Sequence, residues 1–290
     1  MPRAARCNLN KPKKTMLPFT PTQADLEAEI PAFIDAEGRI FQSLAGHFQR
    51  ILNDAVEVYA IDDHAPADLV RTYVYNRAAF EALPTLDLIA TENGFAVVSN
   101  QHLAPASRER VQALREELHR KADTALSTIL FRLQDVEEWR ASHYAMMARN
   151  TLLWLPTLAA RYGLAKNAGA FLSFEAFDEL RPHILDGENA AIQLIGEAQM
   201  YDFVARQDTA DLSPDDTKAI ELIRIYMAVH VLCALGHMKR AEVHKAYRRA
   251  YDFIDAHADQ FPHYKTSTTY EANHFEPHRN QPTDPCFFFG

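Results

Sequence analysis

The stretch "LAPASRERVQALREELHRKADTALSTILFRL", residues 103–133, decides the fold class. Pro105 and Ser107 are helix-start residues. Beyond them Val111, Leu114, Leu118, Ala122, Leu126, Ile129 and Leu133 recur at helical spacing, with dense charge between. That pattern predicts one long amphipathic helix that needs a partner along its length. Just before it, "DLIATENGFAVVSN" (87–100) sets two β-favouring runs around Asn93 and Gly94. Asn-Gly suits a type I′ turn, which needs positive φ at both central residues. The expectation is a hairpin with strands near 87–91 and 95–99 and Asn93-Gly94 as its turn.

Helical signals extend outward on both sides. Thr22, with Asp25 three residues on, reads as an N-cap. A short helix then leads to Pro31. Ile40, Phe41, Leu44, Phe48, Ile51, Leu52 and Val56 form the next stripe, and Pro66 and Asp68 open a helix carrying Leu69, Tyr73, Asn76 and Phe80. Downstream, Trp139, Tyr144, Met147, Leu152 and Trp154 mark a further helical stretch, and "YGLAKNAGAF" (162–171) reads as a link. Helices near 174–181 and 184–205 follow, then an acidic loop. Another helix starts at Ser213-Pro214 with Ile220, Ile223, Met227 and Val231. Gly236 kinks or ends it, and Val243, Tyr247, Tyr251 and Ile254 continue to about residue 257. After Phe261-Pro262 no periodicity remains.

An internal repeat links the halves. "PAFIDAEGRIF" from Pro31 and "PHILDGENAAI" from Pro182 lie 151 residues apart. At that offset Leu26 meets Phe177, Phe33 meets Ile184, Ile34 meets Leu185, Asp35 meets Asp186, Glu37 meets Glu188, Phe41 meets Ile192 and Leu44 meets Ile195. "LVRTY" (69–73) matches "LIRIY" (222–226) after a two-residue slip. The expected fold is mainly α: two related helical-bundle halves, one β-hairpin in the first, and an extended C-terminal arm. Its divisions are a basic leader over 1–16, a helical half over 17–165, a second over 166–261 and an extended tail over 262–290.

The bulk numbers narrow the function. The chain has 290 residues, 48% of them hydrophobic and 24% charged, as in ordinary globular proteins. Its net charge of −9 does not favour nucleic-acid binding by the chain as a whole. Cys7, Cys233 and Cys286 are scattered, which fits a reducing compartment rather than a disulfide framework. The leader "MPRAARCNLNKPKKTM" has five basic residues and no apolar core of a signal peptide. It reads as a flexible leader or as a basic arm. The longest apolar run, "TLLWLPTLAARYGLA" (151–165), is broken by Pro156 and Arg161 and is too short to span a bilayer.

No catalytic, metal or cofactor site is expected. His230, His237 and His244 are seven apart, about 10 Å along a helix, too far for one ion. His274, His278 and Cys286 lack a paired CxxC. Asp35 with Glu37, and Asp186 with Glu188, diverge by about 200° around a helix and are read as early-turn carboxylates favoured by the helix dipole. The terminal Phe287, Phe288 and Phe289 need a surface to lie on, as aromatic anchors do at interfaces.

Four segments carry a resemblance: "LPFTPTQADLEAEI" (17–30), "LPTLDLIATENGFAVVSNQHLAPASRERVQALREEL" (83–118), "FLSFEAFDELRPHILDGENAAIQLIG" (171–196) and "FFFG" (287–290). Together they resemble a family encoded in Bacteroidales phages and prophages that is similar to tailed-phage head–tail connector (adaptor) proteins. The resemblance implies a non-enzymatic virion subunit that forms a homo-oligomer, a ring being one such form. Portal or tail components would be its neighbours, and the virion its location. From the apolar runs and the net charge, no membrane and no sequence-specific nucleic-acid partner is expected. Two other classes stay open: a helical protein-binding module of the bacterial cytoplasm, and an enzyme with an unrecognised His/carboxylate site.

Overall fold

The computed structural model describes residues 17, 19–33, 37–86, 88–91, 94–97, 108–165, 171–209 and 212–276. The protein is mainly α. It divides into two compact units, Met1–Met147 and Ala148–Gly290.

In the first unit, α1 (Gln23–Glu29) starts where Thr22 Oγ1 accepts from Asp25 N at 3.2 Å. A 3₁₀ turn (Pro31–Phe33) follows, then α2 (Arg39–Glu57), whose buried stripe is Leu44, Phe48, Ile51 and Ala55. α3 (Ala67–Leu86) packs on α1, on α2 and, most extensively, on α4 (Arg108–Leu133). Buried Tyr75 ties α3 to α1: its phenol accepts from Thr22 N (2.7 Å) and donates to Thr22 O (3.0 Å). The fully buried Asn76 donates to Glu29 Oε1 (2.9 Å) and Thr72 O (2.8 Å). Short helices α5 (Glu137–Arg140) and α6 (His143–Ala148) follow, and Trp139 Nε1 donates to Tyr59 O at 3.1 Å. The long helix is buried only from Leu118 onward, while Val111 and Leu114 in its first turns stay half-exposed.

Between α3 and α4, β1 (Leu88–Thr91) and β2 (Gly94–Val97) are assigned as an antiparallel pair, with Thr91 opposite Gly94 and Leu88 opposite Val97. In that register Gly94 is a strand residue, one place beyond the central turn pair expected of Asn93-Gly94. Asn93 itself lies outside the described residues.

The second unit begins earlier than the link at 162–171 implies. Leu152, Leu153, Trp154 and Leu155 are all buried, and Pro156 opens α7 (Pro156–Arg161), which packs on α8 (Phe174–Ile195). The apolar run is therefore core of this unit, and the boundary falls at 147/148 rather than 165.

Two helices were expected either side of Pro182, yet α8 runs unbroken through it. Proline removes one backbone hydrogen bond. The apolar stripe Phe177, Ile184, Ala191, Leu194 and Ile195 is continuous across it, however, and α8 packs along α10 (Pro214–Ala234). Their approach is close at Gly187, where a Cβ would lie 3.1 Å from the Met227 carbonyl oxygen. The break comes instead at Gly196, φ 82°, before α9 (Glu197–Arg206). A capping box of Ser213 and Asp216 starts α10, and Gly236, φ 77°, lies in the turn before α11 (Arg240–Ala256).

The segment after α11 departs from the extended tail expected from residue 262. A 3₁₀ turn (Ala258–Gln260), α12 (Pro262–Lys265) and α13 (Thr268–Asn273) follow, packing on α9 and α8. Tyr264 is wholly buried there. Phe287, Phe288 and Phe289 lie outside the described residues.

Candidate functional site

In the second unit α11 folds back on α10 after the turn at Gly236. The two helices leave between them a groove of about 600 Å³. Tyr226, His230 and Cys233 line it from α10; Arg240, His244 and Tyr247 line it from α11. The rings form an ordered set. His244 and Tyr247 stand nearly parallel (11°, centroids 6.4 Å), as do Tyr247 and Tyr251 (4°, 6.1 Å). Tyr226 meets Tyr247 edge-on at 6.0 Å and His230 at 6.4 Å. Burial pushes the Tyr226 phenol up, so it is a neutral donor and acceptor at neutral pH. His230 Nδ1 is buried without a hydrogen-bond partner among the described residues. The groove thus offers π faces and a cation at Arg240, a set that can hold a planar anionic group.

Of the three evenly spaced histidines, the turn brings His230 and His244 to one groove. His237 falls in the turn itself, exposed. His274 is held on the surface, with Nδ1 3.0 Å from Tyr270 O and Nε2 3.2 Å from Asp255. His278 and Cys286 lie outside the described residues. In the first unit Asp62, Asp63 and His64 each place a ligand atom within 4.8 Å of the others. There the Asp62 carboxylate, 3.1 Å from His64 Nδ1, raises the pKa of the imidazole.

Asp186 and Glu188 point apart, Asp186 exposed and Glu188 buried. They sit in the middle of α8 rather than in a first turn, because that helix starts at Phe174. Asp35 lies outside the described residues. Glu188 Oε2 has no hydrogen-bond partner among the described residues. Burial raises the pKa of this carboxyl, with the Thr151 hydroxyl acting in the opposite sense. A carboxyl with a raised folded pKa adds stability that is complete below its unfolded pKa, about 4.3. That contribution is lost as pH rises through the folded value. Glu188→Gln is therefore expected to raise the melting temperature at pH 7, by about 2–4 °C for each kcal/mol recovered, and to leave it unchanged below about pH 4. Paired melts at the two pH values check this; an equal effect at both would exclude charge burial as the cause.

A second polar cluster in this unit is structural in geometry. Arg224, buried in α10, reaches Leu152 O, Gln207 Oε1 and both carboxylate oxygens of Asp208. Sequence reasoning passed over it, since an arginine inside "LIRIY" looks only like an interruption of an apolar stripe. The groove's rings at 244, 247 and 251 were legible as a face of one helix, but their partners on α10 were not.

Among known families, residues 54–149 match a family of unknown function (DUF6712). That match spans α3, both strands, α4, α5 and α6. No curated protein matches the chain, and no solved structure matches it.

Proposed function

We propose that the chain is a non-enzymatic structural subunit that self-associates, a phage or prophage head–tail connector being the form its resemblance implies. The supporting observation is an exposed apolar step at the end of the first unit: Met146 is 60% and Met147 57% exposed, side by side on α6. Flexible, polarizable methionines on a surface suit a contact with another protein. A second copy of this chain is the partner that the connector reading requires. The β1–β2 pair, as a hairpin, and Phe287, Phe288 and Phe289, as interface anchors, are the further contact elements of that reading.

Native mass spectrometry and electron microscopy of the purified chain test it. Discrete higher oligomers or rings are expected, shifted toward monomer in Met146→Ser/Met147→Ser. A chain that stays monomeric up to about millimolar concentration, where weak contacts are populated, would refute self-assembly.

We also infer that the two units share one plan. Thr22 and Ser173, 151 residues apart, both cap a helix by accepting from the amide three residues on. The offset pairs Leu26 with Phe177, Phe33 with Ile184 and Leu44 with Ile195, all buried. In the first unit α3 packs on its chain neighbours α2 and α4; in the second α10 packs on α11 and, across the intervening α9, on α8. Pro31 and Pro182 are the departure: one follows a helix end, the other is inside a helix.

A further inference from the structure

The net charge of −9 conceals a local reversal. Residues 237–249, "HMKRAEVHKAYRR", hold five basic side chains against the single acid Glu242, plus two histidines. Lys239, Arg240, Lys245, Arg248 and Arg249 are all exposed. Lys245 is engaged by Glu242 at 2.8 Å; Arg240, Arg248 and Arg249 have no carboxylate partner among the described residues. This basic stretch borders the α10/α11 groove, to which it contributes Arg240 and His244, and it overlaps the ring row His244, Tyr247 and Tyr251.

We propose that this face binds single-stranded nucleic acid without sequence preference. Phosphates would lie on Arg240 and Arg248, and a base would enter the groove against Tyr247 and His244. Two features select this ligand over other anions. An acidic peptide would satisfy the arginines but supplies no repeating planar group for the parallel rings. A nucleic-acid strand brings one aromatic base per phosphate, and stacked rings beside a basic track are how such strands are held. A duplex keeps its base faces stacked inside, where His244 and Tyr247 cannot stack on them. The contacts offered are ring faces and cations, neither of which distinguishes one base from another, which fits binding without sequence readout. The residues used here are distinct from Met146 and Met147, on which the self-association reading rests.

The test is fluorescence anisotropy of the full chain with a labelled oligothymidylate of about 12 nucleotides, within the range one such site spans. Binding is expected near 50 mM salt and should weaken steeply toward about 200 mM. Arg240→Ala/Arg248→Ala should weaken it and reduce the slope of log affinity against log salt by about 1–2. Tyr247→Ala should weaken it about 5- to 150-fold, the worth of one stacked base, while Tyr247→Phe should bind as the parent does. Circular dichroism verifies that the variants are folded, and the exposed Arg248→Glu gives a second loss of binding that leaves the core untouched. The proposal is overturned by no binding at low salt, by equal affinity for a duplex of the same length, by thymidine monophosphate competing as well as the oligonucleotide, or by a folded Tyr247→Ala that binds unchanged.

Discussion

Arg224→Ala is expected to destabilise the Ala148–Gly290 unit by about 3–5 kcal/mol, the usual cost of removing one partner from a buried charge pair. Arg224 is only 6% exposed. Its Nε donates to Leu152 O at 3.0 Å, and its two terminal nitrogens donate to the Asp208 oxygens at 2.9 and 2.6 Å and to Gln207 Oε1 at 3.1 Å. Gln207, fully buried, in turn donates to Thr151 O at 3.1 Å. One guanidinium thus ties α10 to the loop after α9 and to the chain entering α7. Asp208 holds a left-handed backbone, φ 60°, which costs a non-glycine residue energy unless its surroundings fix it. Without the arginine, a carboxylate and an amide lose these donors in a water-poor place. The exposed pair Lys218–Glu221, at 2.8 Å on the same helix, is the contrast. Lys218→Ala should cost under about 1 kcal/mol, because solvent screens it. Arg224→Lys should restore little, since one ammonium cannot replace a planar fork. Urea denaturation, with hydrogen exchange on α10 to locate the loss, measures the difference. Adding Asp208→Asn to Arg224→Ala should return part of the loss; a purely additive pair would show that the ion pair is not the source.

The helical character was legible because its signals are local. The caps at Thr22 and Ser213 and the stripe from Leu118 to Leu133 follow from residue types a few positions apart. Three features were not. Proline rules end a helix near residue 182, but packing of Phe177 and Ile184 on one face carries α8 through it. Four- and six-residue helices are too short to show a 3.6-residue period, so α12 and α13 read as tail. Only Pro262 at a helix start and Ser267, whose Oγ accepts from Tyr270 N at 3.1 Å, marked them. The third was the set of pairings that build the sites. Arg224 finds partners 16 and 72 residues away, and the groove exists only because α11 turns back on α10. Such contacts are decided by tertiary packing, which no single window of sequence encodes.

Tyr264→Ala is expected to cost about 3–5 kcal/mol, the range for emptying a buried aromatic site. Tyr264 N donates to the buried Gln199 Oε1 at 3.1 Å, and its phenol donates to Asp255 Oδ1 at 3.1 Å. Burial, reinforced by the Asp255 charge, pushes that phenol up, so it stays a donor at neutral pH. Beside it, Phe261 meets Phe203 edge-on at 5.7 Å, and Tyr270 meets Tyr264 at 5.3 Å. Ordering the backbone of this segment costs about 1 kcal/mol or more per residue. Burial of Phe261 and Tyr264 returns about 1.5–3 kcal/mol each, so the helix hydrogen bonds and the Ser267 cap must supply the rest. The segment is therefore held to its own unit by a few strong contacts, and loss of the Tyr264 ring should release it as a whole. Protease sensitivity between residues 258 and 276 should rise along with the drop in melting temperature. A second chain ending at Glu276 separates this core from Phe287, Phe288 and Phe289. Under the arm reading it should melt as the full chain does but assemble less. If instead it loses several degrees while monomeric, the three phenylalanines belong to the same core as Tyr264, and their role as interface anchors is wrong.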